Sequence, residues 1–92
     1  MMVAAKILVR IPLRGVLYLR NTRFLPSSLL ELINAARHRD GDQYELNISP
    51  QISEEFRSAF TNQLAKVGFD ANYGLTREGE ILEELIDVFF VK

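Results

Sequence analysis

Residues 5–13, AKILVRIPL, alternate strictly between two sides. Ile7, Val9, Ile11 and Leu13 face one way, and Lys6, Leu8, Arg10 and Pro12 face the other. This is the pattern of a half-buried β-strand, which obliges the chain to build a sheet and to cover one side of it. Pro12 lacks an N–H donor, so this end of the strand belongs at an edge or beside a turn. Arg14-Gly15 predicts that turn, with Gly15 at positive φ. VLYLR over 16–20 then predicts a second strand, the hairpin partner of the first.

The rest of the chain supplies the cover. In PSSLLELINAARHRDG, Ser28 and Glu31 form the spacing of a capping box. Leu29, Ile33 and Ala36 share one helix face with Leu32 beside them. Arg37 and Arg39 fall in the last turn, where cations suit the negative helix end, and Gly41 is a natural stop. QYELNIS over 43–49 alternates again, with Tyr44, Leu46 and Ile48 opposite Glu45 and Asn47, until Pro50 ends it. Ser53 predicts the cap of the next helix, with Glu54 and Glu55 in its first turn. Phe56, Phe60, Leu64 and Val67 make its buried stripe. Gly68 is its expected C′ residue, with Phe69 returning onto Leu64. Phe69, Ala71, Tyr73 and Leu75 then alternate as a short strand or extended loop. Thr76 predicts the cap of a last helix whose core face is Ile81, Leu82, Leu85, Val88 and Phe89. The expected fold is α+β: a two-layer sandwich of a small, mostly antiparallel sheet of three to four strands with three helices. The order is β-β-α-β-α-(β)-α, in a single domain over residues 1–92.

Composition narrows the function classes. The chain has no cysteine, which excludes disulfides, thiolate zinc sites and thiol nucleophiles and favours a cytoplasmic location for so small a domain. Lys6, Arg10 and Arg14 interrupt the apolar start, so neither a membrane span nor a signal peptide is expected. The net charge of −1 hides a gradient. Residues 1–39 hold seven bases against Glu31, a net of +6, while residues 40–69 carry −3 and residues 70–92 carry −4. Such asymmetry points to charged partners, or to the two halves pairing with each other.

The stretch DANYGLTREGEILEELID, Asp70 to Asp87, combines three motifs. As a calcium loop starting at Asp70 it fails, since Gly74, Leu75 and Ile81 stand where position 5 needs an oxygen ligand, position 6 a glycine and position 12 a bidentate glutamate. Its middle, with LAKVGF before it, locally resembles the end of winged-helix regulators, where a Leu-Thr-x-x-Gly phrase opens the helix after the wing. Leu75, Thr76 and Gly79 carry the likeness, which covers residues 64–86 only. The interval between QYELNIS and Gly68 has room for one helix rather than the two of a helix-turn-helix, so the phrase is read as a helix start and no family is assigned. The third motif is an acidic face. At 100° per residue, Glu80, Glu83, Glu84 and Asp87 lie within about 100° of one another, opposite the apolar stripe. The plain reading is a solvated helix side, and the functional one is a surface that docks on a cationic partner.

Catalysis finds no constellation. His38 is the only histidine, Ser27 and Ser28 lie a helix length away from it, and Glu54-Glu55 and Glu83-Glu84 are neighbours that point apart. There is no phosphate loop, dinucleotide turn or zinc-helix motif. Neither a cofactor nor a metal is expected.

The sequence reading is therefore a small non-catalytic protein-binding module. It suggests an inhibitor of the immunity-protein or antitoxin type, binding a protein with a basic surface through Glu80, Glu83, Glu84 and Asp87, with Phe90 as apolar anchor. The alternative is a nucleic-acid-binding or regulatory domain using Lys6, Arg10, Arg14, Tyr18, Arg20 and Arg23 on the N-terminal hairpin. A third is a homo-oligomer joined by an edge strand or by Phe89, Phe90 and Val91.

Overall fold

A computed structural model describes residues 6–39 and 41–90. The alternating stretch forms β1 (Ile7–Pro12). It is followed by α1 (Leu13–Asn21), α2 (Ser27–Asn34), β2 (Arg37–Arg39), β3 (Gln43–Ile48), α3 (Pro50–Val67) and α4 (Arg77–Phe89). The three strands make one antiparallel sheet in the order β1-β3-β2. The register sets Val9 beside Leu46, Ile7 beside Ile48 and Ile11 beside Tyr44 on one face. That face is covered: Val9, Ile11, Leu46 and Ile48 are buried with Leu82, Leu85 and Phe89 of α4 and Val16 and Leu19 of α1. On the opposite face Leu8, Arg10 and Asn47 are exposed. The α+β sandwich with helices on one side of a small antiparallel sheet is thus the architecture of the chain.

Three elements differ from the sequence reading. Residues 16–20 are helical, so the described residues form four helices, and β1 pairs with β3 rather than with its neighbour. Pro12 ends the strand at φ −65° and stands directly before α1 as its cap residue. Gly15 has no positive φ. It lies inside α1 because a Cβ there would stand 2.8 Å from Leu85 Cδ2, so its smallness lets α1 close on α4. Arg37 and Arg39 belong to β2, not to the end of α2. Gly41, at φ 77°, turns β2 into β3.

The helix caps are also redistributed. α2 starts after Pro26 with no side-chain cap, so the Ser28–Glu31 box does not form. α3 starts one turn earlier than Ser53. Ser49 accepts from the Ile52 N–H at 3.2 Å, with Pro50 in the first turn. Ser53 is instead buried and donates its hydroxyl to the Phe89 carbonyl at 2.6 Å, which ties α3 to the end of α4. Gly68 ends α3 in right-handed geometry at φ −78°, so no left-handed C′ residue is present there. Thr76 caps α4 as expected, accepting from the Gly79 N–H at 3.0 Å.

α3 and α4 form a hairpin with an aromatic centre. Phe56, Phe60 and Phe89 are fully buried, and their ring centroids lie 4.7 to 5.9 Å apart. Each such ring buries a large apolar surface, and the tilted pairings add to it. At the loop end of the hairpin a Cβ on Gly79 would overlap the Gly68 carbonyl oxygen, and the Thr76 N–H donates to that same oxygen at 2.8 Å. Between them Phe69 and Leu75 make a single antiparallel bridge. No helix among the described residues is long and apolar enough to cross a membrane.

Candidate functional site

The acidic face of α4 divides in two when its neighbours are in place. On the helix, Glu80, Glu83 and Asp87 fall within about 60° of one another, and Glu84 lies some 40° beyond Glu80 toward α1. Glu84 accepts a hydrogen bond from Arg14 Nε at 2.8 Å. That bond, followed by the Glu84 and Glu80 charges, raises the Arg14 pKa and keeps its guanidinium charged. This is the one ion pair among the described residues that joins the basic N-terminal third to the acidic C-terminal third. Glu80, Glu83 and Asp87 have no basic side chain within 4.0 Å among the described residues.

Two of the three carboxylates, Glu83 and Asp87, border a groove. Leu64 of α3 and Ile86 of α4, both partly buried, line it together with Glu83 and Asp87, in a volume of about 350 Å³. Phe90 follows α4 and is 57% exposed, with the Arg57 guanidinium 5.1 Å from its ring centroid. Arg57 Nε is buried without a hydrogen-bond partner among the described residues. The strip from Glu80 to Phe90 therefore offers carboxylates, an apolar floor and an aromatic end. The fifth expected residue, Glu84, is engaged with Arg14.

The basic residues proposed for nucleic acid do not converge. Arg10 lies on the open sheet face, and Arg14 is on the α4 flank. Because 16–20 is a helix, Tyr18 and Arg20 do not share a face, since residues two apart on a helix lie about 200° apart. The Tyr18 hydroxyl donates to Glu78 at 2.8 Å. Burial, and then that hydrogen bond, push the Tyr18 pKa up to about 12. Arg20 turns toward Tyr44, 5.3 Å from the ring centroid. Arg23 is exposed in the turn after α1, and Lys6 is exposed ahead of β1. The homo-oligomer surface loses Phe89, which is fully buried in the core. Val91 lies outside the described residues.

A different basic cluster does assemble. The register places Arg10 and Arg37 on either side of Glu45, with Arg39 one pair further along beside Gln43. Glu45 meets Arg10 at 3.5 Å and Arg39 at 3.4 Å. Arg37 is exposed, with no carboxylate within 4.0 Å among the described residues. Arg37 and Arg39 were hidden by the helix reading, though the two-residue spacing of Arg37-His38-Arg39 before Gly41 is the signal of a strand entering a hairpin. His38 points to the other side, 5.0 Å from the Tyr44 ring.

The front of the DANYGLTREG stretch is a turn closed on itself. Asp70 Oδ1 accepts from the N–H groups of Asn72 and Gly74 at 2.9 and 2.8 Å. Its carboxylate is thus used by the backbone of its own loop. Tyr73 sits at the tip with φ 61° and is 89% exposed, flanked by exposed Phe69 and Leu75.

Comparison with protein-family models, curated proteins and solved structures finds no match for this chain.

Proposed function

We propose that the chain is a non-catalytic protein-binding module that docks the strip Glu80, Glu83, Asp87 and Phe90 of α4 on a basic protein surface. The observation that carries this reading is the pairing pattern. Glu84 is consumed by Arg14, while Glu83 and Asp87 line a groove floored by Leu64 and Ile86, and neither they nor Glu80 have a basic side chain within 4.0 Å among the described residues. Such a surface favours fast, selective capture of a cationic partner, with the apolar floor and Phe90 supplying contact area. An inhibitor of the immunity-protein or antitoxin type works in this manner, covering a basic site on its target.

The test is capture of partners on the immobilised chain, with nuclease present. The combined substitutions Glu80→Gln, Glu83→Gln and Asp87→Asn should abolish capture and leave the fold intact. Glu31→Gln, on an exposed position of α2, should leave capture unchanged. Retention of the partner by the α4 variant sinks the reading.

A further inference from the structure

We propose that the open face of the sheet is a second docking surface, and that its occupant is the acidic strip of α4 on another copy of the same chain. Among the described residues, the sheet face carries an excess of positive charge that the fold leaves unbalanced. Arg10, Arg37 and Arg39 surround the single carboxylate of Glu45, and exposed Lys6 continues the two-residue alternation of β1 toward the N-terminus. Four bases against one acid leave a net of +3. Like charges facing one another across a sheet are destabilising, so an anion supplied from outside is favoured there.

The matching anions are in the same molecule but out of reach. Leu82, Leu85 and Phe89 of α4 press on the covered side of the sheet, and Glu80, Glu83 and Asp87 lie on the opposite side of that helix. The two surfaces therefore face away from each other, with the core between them. The dimensions also agree. Arg10, Glu45 and Arg37 lie in one row across three strands, a span of about 10 Å at the usual strand spacing. Glu80 to Asp87 is seven residues of helix, about 10 Å along its axis. Beside the row, Leu32, Ala35, Leu46, Asn47, Arg37 and Glu45 line a groove of about 330 Å³, and Leu8 is exposed on the same sheet face. These give the apolar Phe90 beyond Asp87 a place to rest. Single-stranded nucleic acid is the poorer occupant, because it binds sheets by stacking bases on aromatic rings, and the strand positions of this face hold Leu8, Arg10, Pro12, Gln43, Glu45, Asn47, Arg37 and Arg39 with no aromatic among them.

A contact between two different patches of one chain is heterologous, so copies associate head to tail. The association is weak and salt-sensitive, since exposed ion pairs carry it. It rests on the α4 strip being a docking surface, and it places self-association and partner capture in competition for that strip.

Sedimentation velocity of the nuclease-treated chain over a concentration series, at about 20 mM and about 500 mM salt, tests it. The wild type should sediment faster with rising concentration at low salt and as a monomer at high salt. Arg10→Gln with Arg37→Gln, or Glu83→Gln with Asp87→Asn, should each weaken association about tenfold or more. Arg37→Gln alone, at an exposed position with no carboxylate within 4.0 Å among the described residues, gives the same direction without touching the bonds of Glu45. The decisive sample is an equimolar mixture of the two double variants. One retains the acidic strip and the other the basic face, so the mixture should form a one-to-one dimer that grows no further. A monomeric wild type at low salt overturns the proposal. So does a mixture that stays monomeric, or an association that appears only before nuclease treatment and thus depends on nucleic acid. If self-association is lost in the α4 variant while partner capture persists, the proposed function fails and this inference stands.

Discussion

At the scale of single residues, one side chain among the described residues is held in a conformation that L-residues rarely adopt. Tyr73, at φ 61°, costs about 1–2 kcal/mol relative to a residue that tolerates the left-handed region. Tyr73→Gly should therefore raise stability by about 1 kcal/mol in a urea titration. Tyr18 gives a residue-scale prediction in pH. Its folded pKa of about 12 lies above the ordinary value of 10.0. The folded state therefore holds a proton that the unfolded state releases first. The stability it contributes is fully present below pH 10 and is lost as the pH rises toward 12. Spectrophotometric titration should resolve one late phenol, and Tyr18→Phe should remove both that phenol and its share of the alkaline loss of stability.

At the scale of elements, α3 and α4 are tied together at both ends of their hairpin. Ser53 loses its bond to the Phe89 carbonyl on substitution by Ala, leaving a buried acceptor unpaired, at a cost of about 1–3 kcal/mol. Gly79→Ala should cost about 1–3 kcal/mol or more, since the added Cβ meets backbone rather than a side chain that can turn aside. Both are measurable as midpoint shifts in chemical denaturation. The same scale shows how far the amino-acid pattern reached. β1, β3 and the core stripes of α3 and α4 were legible because each repeats its period over several residues. The segment 13–21 was not, because LRGVLYLRN satisfies both periods. Val16 and Leu19 are buried as helix positions, whereas Val16, Tyr18 and Arg20 also alternate as a strand. What decides between them is tertiary: Gly15 lets this segment lie against Leu85, a contact 70 residues away. Ser53 misled for a similar reason, since its side chain serves a distant carbonyl rather than its own helix end. Of the residues proposed for docking, the acidic strip was readable from helix geometry alone, but its division between Glu84 and the rest depended on where α1 placed Arg14. The sheet-face arginines needed the β2–β3 pairing before they became neighbours.

At the scale of the whole molecule, charge is sorted by layer. The open sheet face is basic and the outer side of α4 is acidic, so a net charge of −1 conceals a molecule with two oppositely charged sides. Its behaviour should accordingly depend on ionic strength rather than on net charge. Arg14→Ala releases Glu84 and should add a fourth free carboxylate to the strip. The exposed pair contributes little to stability, so the expected outcome is unchanged thermal unfolding with faster binding to a basic partner at low salt, read by stopped-flow or surface-based kinetics.

The pairing of Ile7 with Ile48 and Pro12 with Gln43 also sets an order of events in folding. α3 and α4 meet through a short loop, whereas β1 must wait for a partner some 30 to 40 positions downstream, which slows its docking. A ribosome releasing this chain presents β1 first and its partner strand much later, so the apolar side of β1 is bare during synthesis. The expected nucleus is therefore the C-terminal hairpin. Truncating Phe60 should then slow refolding, while truncating Val9 should chiefly speed unfolding. The charged residues that alternate with the apolar side of β1, Lys6 and Arg10, would keep that waiting strand from joining another before its own arrives.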